Sequence, residues 1–241
     1  MENMENENEI GKALEESLTV FDLGSIAKES LSSVFDFLTD NEIVKTIPLV
    51  KHIYSGYTAF SKLMEKAEIK KLLIFFSEVN KISDQQRKEL IEKMEGSKKH
   101  KRQTFERVVL IVQRLDETEK AQILGKLFTN YLLRNISQVI FFRLSFAVDK
   151  TFLSSLIALK KLEDSNKIPS GYNAVFVSNE FRDELLNKEL TYVGLMTETI
   201  KANDHNVRIR SASMGSGSVS PNYEFHYRIS ELGKQFIQFG F

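Results

Sequence analysis

From residue 10 to about residue 164, apolar side chains recur every three or four positions, the period of one helix face after another. In Ile43–Met64 the positions Ile43, Ile47, Val50, Tyr54, Tyr57, Phe60 and Met64 fall on a single stripe, which predicts one helix with Pro48 in its first turn or two. Ser83 with Gln86 resembles a capping box. It opens a helix that turns Leu90, Ile91 and Met94 inward and stops near Gly96. A basic link, Lys98–Arg102, leads to a helix bearing Phe105, Val108, Val109, Val112 and Leu115. Asp116 and Glu119 repeat the capping logic ahead of Ala121, Leu124, Leu127, Phe128, Tyr131 and Leu132. Ser137 and Thr151 are the candidate N-caps of two further helices, the last ending near Leu162. No proline interrupts Leu49–Ile168, as a long helical region requires.

The pattern changes at Asp164–Gly171, where polar residues, Pro169 and Gly171 mark a boundary. Ala174–Val177 reads as a short strand and Asn179–Val193 as a helix stopped by Gly194. Val207 and Ile209, then Tyr223, Phe225, Tyr227 and Ile229, alternate with polar residues as strands do. The Gly/Ser-rich Ser211–Pro221 is a loop tip between them. Ser230–Phe239 closes the chain as a short helix. The predicted fold is mainly α: a helical bundle over 10–164, then a small α+β winged-helix-like module over 165–241. The first nine residues (MENMENENE) read as a disordered acidic tail.

Composition removes several functions. The 241 residues carry 33 Lys+Arg against 33 Asp+Glu, so no uniformly basic surface exists to wrap nucleic acid. There is no cysteine, hence no disulfide, thiolate metal site or cysteine nucleophile. No signal-peptide pattern opens the chain, and the runs Leu72–Phe76, Val108–Val112 and Val139–Phe142 are far short of the ~20 residues of a membrane span. A cytoplasmic protein is the expectation.

Gly194, Leu195, Met196, Tyr227, Ile229, Ser230 and Gly233 resemble the pattern on which winged-helix domains end. That resemblance implies a helix, a hairpin wing and a final helix. Leu115–Leu132 followed by Phe152–Leu162 is similar to a group of bacterial proteins associated with prophages and mobile elements. The layout of helices before a winged end also resembles abortive-infection proteins of the alpha type. These likenesses imply a setting in phage–host conflict and supply no catalytic motif.

Candidate chemistry is sparse. His52, His100, His205 and His226 show no metal-ligand spacing. Gly215–Ser218 lacks the strand–turn–helix setting of a nucleophile elbow. No phosphate-cradling GxxxxGK[ST] occurs. The carboxylate pairs Glu15/Glu16 and Asp183/Glu184 read as solvated helix faces. No enzyme, cofactor or small-molecule substrate is expected. A nucleic-acid site would use Lys98, Lys99, Lys101, Arg102 and Arg107, because residues 96–114 hold six basic residues against Glu106 alone, with Arg208 and Arg210 on the wing. The helix Asn179–Val193 is acidic, with four carboxylates against Arg182 and Lys188, and would be repelled from a major groove. A membrane or partner face would use Ile47, Val50, Tyr54, Tyr57 and Phe60, which serve equally as bundle core. The expected function is therefore a non-enzymatic bacterial interaction or regulatory protein, in a phage-related or antiviral-defence setting, that binds a protein partner or itself. A nucleic-acid-binding winged-helix regulator is the alternative, and a membrane-acting effector the second.

Overall fold

A computed structural model describes residues 2–20, 47–56, 62–94, 96–166, 184–202 and 223–241. These form α1 (Glu2–Val20), α2 (Pro48–Gly56), α3 (Lys62–Val79), α4 (Asp84–Glu92), α5 (Lys98–Arg114), α6 (Thr118–Leu132), α7 (Gln138–Lys150), α8 (Leu153–Asn166) and α9 (Glu184–Tyr192). The chain ends with strands β1 (Met196–Ala202) and β2 (Tyr223–Ile229) and helix α10 (Glu231–Gly240). The fold is mainly helical, with one small antiparallel sheet near the C-terminus.

The run Leu72–Phe76 explains the centre of the bundle. Five successive apolar residues cover every side of a helix, and all five are buried in α3. Gly125 lets α6 lie against this helix; a Cβ there would stand 2.8 Å from both the Phe75 carbonyl oxygen and the Glu78 Cβ. The Phe128 ring then joins three helices, with centroids 5.4 Å from Phe75 of α3, 6.4 Å from Phe105 of α5 and 5.6 Å from Phe141 of α7. Such ring pairs contribute about 0.5–1.5 kcal/mol each beyond their buried area.

Several expectations are revised. The residues read as a disordered tail lie in α1 from Glu2 onward. Farther along, Leu14 and Leu18 bury that helix in the core. Ile47 is not helical; Pro48 opens α2 at the first helical position, where a missing N–H costs nothing. The stretch expected as a basic link forms the first turns of α5, capped by Ser97. Asp116 and Glu119 do not cap α6, which follows Glu117; Asp116 instead accepts a 2.7 Å bond from buried Lys120. Thr151 ends α7, and the amide of Phe152 ahead of α8 donates 2.6 Å to Glu189 Oε1 of α9. The Ser155 hydroxyl donates to the other oxygen of the same carboxylate at 2.7 Å. The caps expected at Ser83, Ser137 and Ser230 are present.

At the C-terminal end, β1 pairs antiparallel with β2, with Met196 opposite Ile229 and Ala202 opposite Tyr223. Sequence alternation had missed β1; Val207, Ile209, Ala174–Val177, the 167–171 part of the boundary and the loop tip lie outside the described residues. The residues behind the winged-helix resemblance meet in one knot. Gly194 has φ +80° and ends α9. The Ser230 hydroxyl donates to the Gly194 carbonyl at 2.6 Å and accepts from the Gly233 amide at 2.9 Å. A Cβ on Gly233 would lie 2.2 Å from the Leu195 carbonyl oxygen. Helix α10 then docks on the bundle, where Lys126 Nζ donates to Phe241 O at 3.1 Å.

Lys71 is buried in α3, and its ammonium donates to Gln113 O at 2.6 Å and Leu115 O at 2.7 Å, closing the end of α5. Burial pushes this ammonium below the ordinary lysine range, while Glu68 and Asp116 work the other way.

Three stability predictions follow from these contacts, each read by urea unfolding followed by circular dichroism. Gly125→Ala forces α3 and α6 apart and destabilises the fold by about 1–3 kcal/mol. Lys71→Met leaves two carbonyls of α5 without their donor and costs about 1–3 kcal/mol. Glu189→Ala uncaps α8 and costs about 0.5–2 kcal/mol, with Glu189→Gln recovering part of the loss because one acceptor oxygen remains.

Candidate functional site

The helical start of α5 divides the basic residues expected to bind nucleic acid. Lys98 and Lys99 are exposed. Lys101 Nζ is spent on Ile91 O at 3.1 Å and Glu92 O at 2.6 Å, two carbonyls at the end of α4. Arg102 stands 4.0 Å from Glu15 of α1. The hollow beside them is lined by Lys12, Lys88, Lys98, Lys101 and Arg102 and by Glu15, Glu16 and Glu92, so its charge is mixed with cations in excess. Arg107 lies two turns along, its guanidinium 4.0 Å over the Phe142 ring. Arg208 and Arg210 lie outside the described residues. The structure thus brings Lys98, Lys101 and Arg102 to one hollow that also holds three carboxylates, and places Arg107 apart from them.

The expected membrane or partner face is also divided. Ile47 and Val50 are fully buried in the bundle core and present nothing to a bilayer. This is the physical outcome for an apolar stripe that has other helices to pack against. Tyr54 belongs to α2, while Tyr57 and Phe60 lie outside the described residues. No helix among the described residues is long and apolar enough to cross a membrane. Among the described residues no three His, Asp or Glu side chains come together as metal ligands.

A different surface stands out. Helices α5 and α7 run side by side in the same direction, in a register set by three contacts. Gln138 Nε2 donates to Thr104 Oγ1 at 2.9 Å, Arg107 covers Phe142, and Arg114 Nη2 lies 3.5 Å from Asp149 Oδ2. Helix α7 buries Phe141, Leu144, Ala147 and Val148 inward. Its opposite side repeats Val139, Arg143, Phe146 and Lys150 at helical spacing, all exposed. The end of α9 supplies Tyr192 and Val193 across from this side, and α10 supplies Leu232. Between them lies a groove of about 770 Å³, within the ~300–1,000 Å³ of small-molecule and side-chain pockets.

The groove is apolar, aromatic and basic. Val139 is 63% exposed, Phe146 43% and Tyr192 77%, high values for side chains of this kind. The Phe146 and Tyr192 rings meet in a tilted contact at one side of it, with centroids 6.4 Å apart. Among the described residues, Arg107 and Arg143 are its only charged lining residues, and both are cations. Arg143 joins no ion pair among the described residues. Farther along the same face Arg114 and Lys150 share Asp149, at 3.5 and 3.1 Å, which offsets one of their two charges.

Of the residues proposed from sequence, only Arg107 belongs to this groove. Phe146, Tyr192, Arg143 and Leu232 were not singled out. A signal existed: α7 has more apolar positions than one helix face can hold, since Val139, Phe142 and Phe146 lie off the stripe of Phe141, Leu144 and Val148. Such groove chemistry can seat apolar side chains and attract carboxylates or other anions.

No protein-family model, no curated protein and no solved structure matches this chain.

Proposed function

We propose that this chain is a non-enzymatic interaction or regulatory protein that acts through protein–protein contacts at the groove between α7 and α9. The observation that supports the reading is the exposure of Val139, Phe146 and Tyr192 around one concavity. Water contact with apolar surface of that extent is unfavourable, and a partner that covers it gains the burial free energy. Aromatic side chains and arginine are also the residue types that carry most binding energy at protein interfaces. The groove walls are helices held by the bundle core, so little ordering cost accompanies docking.

The setting proposed is phage-related or antiviral defence in a bacterial cytoplasm, on the resemblance of Leu115–Leu132 and Phe152–Leu162 to prophage-associated proteins. In this reading the winged-helix-like end fixes one wall of the groove and does not read bases. The acidic Glu184 and Glu189 on α9 favour that role over contact with a phosphate backbone.

A photocrosslinking amino acid placed at position 146 tests the proposal, with position 85 on exposed α4 as the control. In cells expressing the full chain, position 146 is expected to give discrete protein adducts and position 85 none. The absence of protein adducts at 146, together with salt-sensitive binding of a random DNA duplex or RNA in fluorescence anisotropy, would overturn it in favour of the nucleic-acid regulator.

A further inference from the structure

The groove also constrains what kind of partner segment fits it, an inference that rests on the protein-contact reading above. We propose that it receives an acidic amphipathic helix of a partner protein, whose apolar side chains pack over the Phe146–Tyr192 pair and Val139 while its carboxylates pair with Arg107 and Arg143.

Charge complementarity carries the first half of the argument. Among the described residues, the groove lining holds two guanidinium groups and no carboxylate. Arg107 is already placed by its stacking on Phe142, so little side-chain freedom remains to be lost when a carboxylate arrives. Arg143 is exposed and joins no ion pair among the described residues. The neighbouring cations Arg114 and Lys150 have Asp149 between them. Positive potential is thus concentrated at the apolar end of the α5–α7 face, next to the anchors.

Geometry carries the second half. From Val139 through Arg143 to Phe146 is seven steps along α7, about 10 Å at ~1.5 Å per residue. A helix lying alongside would present its own i, i+3 or i+4, and i+7 side chains over the same length. An extended strand gains nothing comparable. Its affinity comes from main-chain bonds to a sheet edge, and the walls here are helices whose backbone groups are bonded internally. Single-stranded nucleic acid can stack on Phe142, Phe146 and Tyr192, but it leaves the aliphatic surface of Val139, 63% exposed, uncovered. A bilayer needs a protruding apolar face, and this one is concave.

The test is selection from a displayed library of helix-forming peptides, roughly 15 residues long, using the full chain as bait. Enriched peptides are expected to combine apolar residues at i, i+4 and i+7 with flanking Asp or Glu. They should bind Phe146→Ser and Arg143→Glu at least about tenfold more weakly than the unmodified chain, and more weakly as salt is raised. Changing the flanking acids of one enriched peptide to lysine should restore its binding to Arg143→Glu, a rescue that misfolding of the variant would not produce. Enrichment without an acidic bias, still lost in Phe146→Ser, would overturn the acidic partner while leaving the protein-contact reading in place. No enrichment, with binding of single-stranded DNA or of phosphatidylserine-containing vesicles that Phe146→Ser abolishes, would overturn both.

Discussion

Helix ends in this protein are closed largely by side chains from other helices, and the architecture depends on that arrangement. Every helix leaves its first amides and last carbonyls without internal partners. The Ser17 hydroxyl of α1 accepts the Leu49 amide at the start of α2, where Pro48 has no donor to offer. Glu189 serves the start of α8, and Lys71 the end of α5. Arg87, only 1% exposed, reaches from α4 to the Leu18 carbonyl near the end of α1. Lys101 and Arg134 bond the final carbonyls of α4, and Lys126 and Asn130 those of α10. A cation at a helix C-terminus also meets the negative end of the dipole. Each bond ties two helices into a fixed relation, which hydrophobic contact alone, being non-directional, does not do.

This division of labour decides which charges are available to a partner. Lys71, Arg87, Lys101 and Lys120 look alike in sequence to Lys98, Lys99 and Arg143. The first group is occupied by backbone carbonyls or a carboxylate, and burying those cations without such partners would be strongly unfavourable. The second group points outward. The surface charge that matters is therefore what remains after the helix ends have been served. That remainder leaves Arg107 and Arg143 beside the apolar groove.

The groove follows from the aromatic core in a similar way. Phe128 gathers Phe75, Phe105 and Phe141, which brings α7 beside α5 with one apolar face already used. The remaining apolar positions of α7 can only face outward. The Gly194–Ser230–Gly233 knot then sets the direction in which α10 leaves the hairpin, and so places Leu232 and Tyr192 along the opposite wall. Gly233 belongs there because the Leu195 carbonyl leaves no room for a Cβ.

The mainly helical class, the caps at Ser83, Ser137 and Ser230, the stop at Gly194 and most core positions were legible from the chain alone. They depend on local spacing and on the hydrogen bonds a residue makes within three or four positions of itself. The helical start of α5, the cap of α8 by Glu189, the burial of Arg87 and Lys71, and strand β1 were not legible. Apart from the start of α5, which the adjacent Ser97 caps, each depends on a group far away in sequence, and periodicity carries no information about which helix ends meet. The groove lies in the same category: α7 showed a surplus of apolar residues, but whether that surplus meets the core, a bilayer or an open concavity is decided by where α9 and α10 pack. Composition and periodicity determined the kind of fold; long-range hydrogen bonds and packing determined which side chains remained free to act.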